Sequence, residues 1–187
     1  SLTTLELSRC EIPAAWFCAS SPGGTLPRLQ HLVIRDVPAF SDRHLMNVSS
    51  RSRLKTLSLS GTYRLTDTGI QRAAPFLEHL DHLALCHCAV GDPAAAFLGR
   101  HLKRLRSLEI SRAPSLTSTG LASLAALQRL ETLRLDLGEK ISPGAVLALC
   151  RALPRLRNLG LSGASGADEA IDEIRASLPH CCFSRSP

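Results

Sequence analysis

The chain of 187 residues has one methionine, one tryptophan, one tyrosine and five phenylalanines, so aromatics make up only 4% of it. It has little to offer as a platform on which successive bases could stack, and its basic residues are not interleaved with aromatics. Nucleic acid is therefore not the expected partner, despite a formal charge of +6. No run of about 18 apolar residues occurs, which argues against a membrane-spanning helix. No glycine-rich phosphate cradle is present; Gly23-Gly24 reads as an outer turn. The seven cysteines form no paired framework. That pattern favours a reducing compartment, cytosol or nucleus, over a secreted disulfide scaffold.

What the chain has is leucine at fixed spacing. A Leu-x-x-Leu-x-Leu/Ile rung begins at Leu2, Leu29, Leu54, Leu80, Leu105, Leu130 and Leu156, at intervals of 27, 25, 26, 25, 25 and 26 residues. The alternating end of each rung, such as Leu57-Ser58-Leu59, reads as a strand with one buried face. A polar turn and a segment of helical spacing follow, as from Thr66 to Leu77. Thr66-Asp67 and Ser142-Pro143 read as helix starts. Pro27, Pro75 and Pro154 punctuate the return from helix to strand. Ser20 to Thr25 is the loosest stretch and accounts for the long first interval. One strand and one helix per repeat cannot bury their apolar faces alone, whereas stacked repeats can. This repeat resembles the leucine-rich repeat family. The fold class expected is α/β: a horseshoe-shaped solenoid with a parallel concave sheet of about seven strands and helices on the convex side. The whole of 1–187 reads as a single domain. Its first rung opens without a polar cap, which suggests a fragment that continues upstream.

Cys10 and Cys88 lie eight residues after the first leucine of their rungs, in phase with Thr62, and should turn inward to fill a structural position. Cys86-His87-Cys88 could suggest zinc. Strand alternation, however, points Cys86 to the open face and Cys88 inward, and no further ligands have suitable spacing. His180-Cys181-Cys182 fails likewise, and one of its cysteines should pack inward. His31 and His82 share a phase two rungs apart, about 10 Å, too far to act together. Neither a catalytic constellation, a metal nor a cofactor is expected.

Longer matches narrow the family. TLELSRCEI at 4–12, DVPAF with Asp42 and His44-Leu45, GTYRLTDTGI at 61–70, Arg100-His101-Leu102 and Leu178-Pro179-His180-Cys181 resemble the F-box and leucine-rich repeat protein 12 family, in its repeat part only. The resemblance implies a substrate-recognition module of a Skp1–cullin–F-box ubiquitin ligase. Its partner would be a protein substrate, with Skp1 and cullin engaged only through an F-box that this chain does not contain. The alternative is a scaffold or inhibitor similar to ribonuclease inhibitor, with no ubiquitin role.

Three sets of residues are candidates for contact with a protein partner. On the open floor, Glu6, His31, Arg35, His82 and Asp136 should stand unpaired, while Glu109 pairs with Arg134 and Arg9 with Asp36. On the rim after the third strand stand Tyr63 and Arg64; Tyr63 either anchors a partner or packs over Val37 to Phe40. Before the first leucine of six successive rungs comes a basic residue: Arg28, Arg53, His79, Arg104, Arg129 and Arg155. Arg53, Arg104 and Arg129 are the members singled out for steering an acidic or phosphorylated segment. The row also has a structural reading, as cations complementing helix C-termini.

Overall fold

A computed structural model describes residues 2–17, 26–163 and 167–185; the Ser20–Thr25 stretch lies outside them. Eight parallel strands stand side by side in chain order: β1 Thr4–Ser8, β2 His31–Arg35, β3 Thr56–Ser60, β4 His82–Cys86, β5 Ser107–Ser111, β6 Thr132–Leu137, β7 Asn158–Gly163 and β8 Cys182–Arg185. Among the described residues, six α-helices return the chain between strands: α1 Asp42–Arg51, α2 Asp67–Ala73, α3 Asp92–His101, α4 Ser118–Ser123, α5 Pro143–Ala152 and α6 Asp168–Ser177. This is a leucine-rich repeat solenoid, as its sequence period predicts.

The register explains why the leucines repeat. Leu32, Leu57, Leu83, Leu108, Leu133 and Leu159 are successive partners in the sheet, and each is at most 1% exposed. Each such side chain stabilises the fold by about 1.5–3 kcal/mol through burial. Leu5 and Leu7 are only half-buried, because β1 pairs on one side only.

Two departures from strict periodicity have local causes. α2 and α4 are short and run on as 3-10 turns at 74–76 and 124–126. In the first of these Pro75 has no amide with which to continue an α-helix. An eighth strand forms where about seven are expected. Its sequence, Cys182-Phe183-Ser184-Arg185, lacks leucine, yet Phe183 pairs with Leu159 and packs on the core. Cys181 is the half-buried member of that cysteine pair and Cys182 is exposed.

Five successive strands end in the same way. Arg9, Asp36, Gly61, His87 and Arg112 follow β1 to β5 with φ between 49° and 68°. The amides of the first four donate to the carbonyls of Arg35, Ser60, Cys86 and Ser111 at the end of the next strand. Four of the five are not glycine, and a left-handed conformation disfavours such residues by about 1–2 kcal/mol. The ladder of amides offsets that cost. It stops at β6, where Leu133, Leu135 and Leu137 all turn inward and the strand runs on through Leu137.

Candidate partner-binding surface

Where the left-handed turns stop, the open face deepens. The amide of Arg112 finds no carbonyl in its ladder position and donates instead to the Asp136 carboxylate at 2.9 Å. Beside it lies a hollow of about 870 Å³ between the loop after β5 and the ends of β6 and β7. Its floor carries Glu109, Arg134 and Gly160, its apolar depth Leu116, Leu137 and Ile141, and its rim Arg112, Glu139 and Lys140. The wall is braced: Lys140 Nζ donates to Pro114 O at 3.1 Å, and the Ser118 amide donates to Lys140 O at 3.1 Å. Apolar depth under a charged rim suits a partner side chain flanked by polar groups.

Several expected pairings change once side chains are placed. Glu109 and Arg134 are register partners on the open face, but they form no ion pair within 4.0 Å. The reason is Gly160, the next residue in the row. A Cβ there would lie 3.0 Å from Arg134 Cγ, so the arginine stem leans over the glycine and away from Glu109. Glu6 and Arg35, expected free, are a pair at 3.5 Å. Arg9 and Asp36 pair as expected, at 3.8 Å. All four side chains are more than half exposed, so each pair adds about 0–1 kcal/mol. His31 is bonded to Thr56 through Nδ1 and Oγ1 at 3.0 Å. His82, half-buried, stands in register between Thr56 and Ser107. Asp136, also expected free, holds the Arg112 amide.

On the rim, Tyr63 is 67% exposed, and Arg64 beside it is exposed as well. Tyr63 and Glu139 occupy the same position of their repeats, on the edge where strands end. Three rungs at about 4.8 Å each put them roughly 14 Å apart. Arg53, Arg104 and Arg129 lie on the opposite edge, where strands begin, and all three are exposed. The open face therefore has two rims of different character.

Cys10 and Cys88 fill structural positions, as their phase predicts. Cys88 is buried, and burial pushes its thiol up to about 11, partly offset by the Val90 amide. Cys86 faces the open side; burial raises its thiol, with Ser111 lowering it and Glu109 and Asp136 raising it further. Such thiols are poor thiolates at neutral pH. Cys10 is half-buried and packs against the core. Among the described residues no group of three His, Cys, Asp or Glu side chains could hold a metal ion. Among them, too, no helix is long and apolar enough to cross a membrane.

The hollow, the Asp136 bond and the bracing Lys140 were not foreseen from sequence. The available signals were Gly138, Gly160 and Gly163 in two neighbouring repeats and the extended alternation Leu133-Leu135-Leu137.

Comparison with known proteins agrees with this architecture. No family model matches the chain. It is 35% identical over 187 residues to human F-box/LRR-repeat protein 12, covering 97% of this chain and 57% of that protein. It is 36% identical to the bovine protein over the same shares, and 29% identical to bovine F-box/LRR-repeat protein 4 over 92% of this chain. A chain of the yeast Rad7–Elc1 complex superposes with a TM-score of 0.63 at 17% identity, covering 97% of this chain and 54% of that one. That likeness concerns the fold alone. The chain spans a little over half the length of F-box/LRR-repeat protein 12, and it is a homologue of that protein's leucine-rich repeat region.

Proposed function

We propose that the chain is the protein-selecting module of a Skp1–cullin–F-box type ubiquitin ligase. In this reading it performs no chemistry. It holds a protein substrate on the open face while an F-box elsewhere in the full protein holds Skp1 and cullin. The observation that carries the reading is homology to the repeat region of F-box/LRR-repeat protein 12 over 97% of the chain. The surface supports it: the open face carries polar and charged side chains at most outward positions, a hollow at β5–β7, and an exposed tyrosine on the adjoining rim. Exposed aromatic and arginine side chains near a water-excluding depression are the usual anchors of protein interfaces.

The test uses the full-length protein containing this chain. Affinity purification of the wild type is compared with a Tyr63→Ala/Arg134→Glu variant, with retained proteins quantified against Skp1. The expected result is that Skp1 and cullin are retained equally while a defined substrate is lost. Loss of about 1–3 kcal/mol at Tyr63 alone corresponds to roughly a 5- to 150-fold weaker complex. Absence of Skp1 from both preparations would remove the ligase reading, and a substrate set indifferent to both substitutions would remove the open face from recognition.

A further inference from the structure

The basic row has a structural basis that its sequence phase does not reveal. Five of its six members sit in the tight turns Leu26–Leu29, Leu77–Leu80, Leu102–Leu105, Leu127–Leu130 and Leu153–Leu156, each closed by an amide-to-carbonyl bond of 3.0–3.3 Å between its two leucines. Burial of the turn leucines forces the residue before the second leucine outward. Arg28, Arg53, Arg104, Arg129 and Arg155 are exposed, and His79 is half-exposed. A further turn, Leu178–Cys181, continues the row with exposed His180.

Among the described residues, these cations donate no hydrogen bond to a helix-end carbonyl. The helix-end carbonyls with a long side chain on them are served by others: Lys103 Nζ donates to Gly99 O at 2.8 Å, and Gln128 Nε2 donates to Ala125 O. Among the described residues, Arg28, Arg53, Arg129 and Arg155 make no ion pair within 4.0 Å. Arg104 bonds only to His79, whose other nitrogen is 3.5 Å from Glu78. Asp81 and Glu131 stand two residues after the row in their rungs, alternating with Lys55, Arg106 and Arg157. The opposite edge carries the helix-start carboxylates Asp42, Asp67 and Asp92. That edge also carries Arg64, Arg112 and Lys140, so its charge is mixed, whereas the residue before each first leucine is basic in six successive repeats.

We propose that the strand-start edge docks an acidic segment of a protein partner, and that the segment is a helix with one carboxylate per turn. This rests on the reading that the chain selects proteins. The rung spacing decides the shape. Successive cations are about 4.8 Å apart, and a helix advances about 5.4 Å per turn. Over five steps the two drift by roughly 3 Å, which flexible arginines absorb. Alternate residues of an extended chain are about 6.6 Å apart and drift by roughly 9 Å over the same steps. Phe76, 42% exposed and three residues before His79, offers an apolar contact beside the middle of the row. A single aromatic does not make a stacking platform for bases.

The experiment titrates the intact protein with two synthetic helical peptides of identical composition, one with its glutamates along a single face and one with them spread around the helix. An oligonucleotide and vesicles containing anionic lipid are run alongside. The single-face peptide should bind about tenfold or more tightly than its isomer, and should weaken as salt rises. The R53E/R104E/R129E variant should lose that binding, and the milder R104Q/R129Q variant should lose part of it with an unchanged melting temperature. Tyr63→Ala and Arg134→Glu should leave it intact. Equal binding of the two peptides, indifference to both sets of arginine substitutions, or tighter binding of oligonucleotide or vesicle would overturn the proposal. If the peptide fails while a substrate still depends on Tyr63 and Arg134, only this edge is refuted. If the peptide binds while no substrate depends on them, the open-face reading falls instead.

Discussion

Thr62 carries a hydroxyl that is fully buried and has no hydrogen-bond partner. It occupies the inward position after β3 that Cys10 and Cys88 fill in their repeats, a position suited to small side chains with little hydrogen-bonding demand. Thr62→Val keeps the shape and removes the unpaired group, so the variant should be stabilised by about 1 kcal/mol in a denaturant titration. The thiols give a second check. Burial pushes Cys88 up to about 11 and Cys150 to about 12, above the ordinary value that each regains on unfolding. Raised folded values mean that the unfolded state loses its protons first. Stability is therefore fully present below about pH 9 and should fall as pH rises toward 11–12. At neutral pH, alkylation followed by peptide mapping should find exposed Cys182 modified, with Cys88 and Cys150 protected until the chain unfolds. Residue-scale electrostatics was the part least legible in the sequence. Phase correctly paired Arg9 with Asp36, but it could not show that Gly160 draws Arg134 away from Glu109. Nor could it show that Asp136 replaces a missing backbone carbonyl.

The helices are joined by a ladder of carboxylates. Asp42, in the first turn of α1, accepts from the amide and hydroxyl of Thr66, at 2.7 and 2.5 Å. Asp67 accepts from the amides of Gly91 and Ala94, at 2.8 and 3.2 Å, and Asp92 from the amide and hydroxyl of Thr117, at 2.8 and 2.6 Å. Gly91 has no side chain with which to cap α3, so Asp67 caps it from the neighbouring repeat. Asp67→Ala should cost about 1–2 kcal/mol, more than an ordinary surface change. The glycine two residues into α4 makes room for this device. A Cβ on Gly120 would come 2.8 Å from Asp92 Cα. Gly120→Ala should therefore lower the melting temperature, although alanine is the better helix former by about 1 kcal/mol. Helix starts at Thr66 and Ser142 were legible from their capping residues. The bonds between repeats were not, because they depend on which cap lies beside which carboxylate. In retrospect the recurring Ser/Thr-Asp pairs at 41–42 and 66–67 were the signal.

Across the whole molecule, the leucine period specified the sheet, its parallel order and the side on which helices return, because only that stacking buries every rung. The row of basic residues was equally legible, since one phase of a repeat becomes one line on the solenoid. The hollow was not. It exists because the left-handed turns after β1 to β5 give way at Leu137, and that change follows from burial of one leucine against its neighbours. Recognition through this open face is the account's central claim, and site-specific photo-crosslinking in the full-length protein tests it most directly. A photoreactive residue is placed in turn at Tyr63, at Arg134 on the floor, and at Gln71, exposed on α2 on the helical side. The account predicts one partner crosslinked from both Tyr63 and Arg134 and absent from Gln71. A partner captured from Gln71 but from neither open-face position would contradict it.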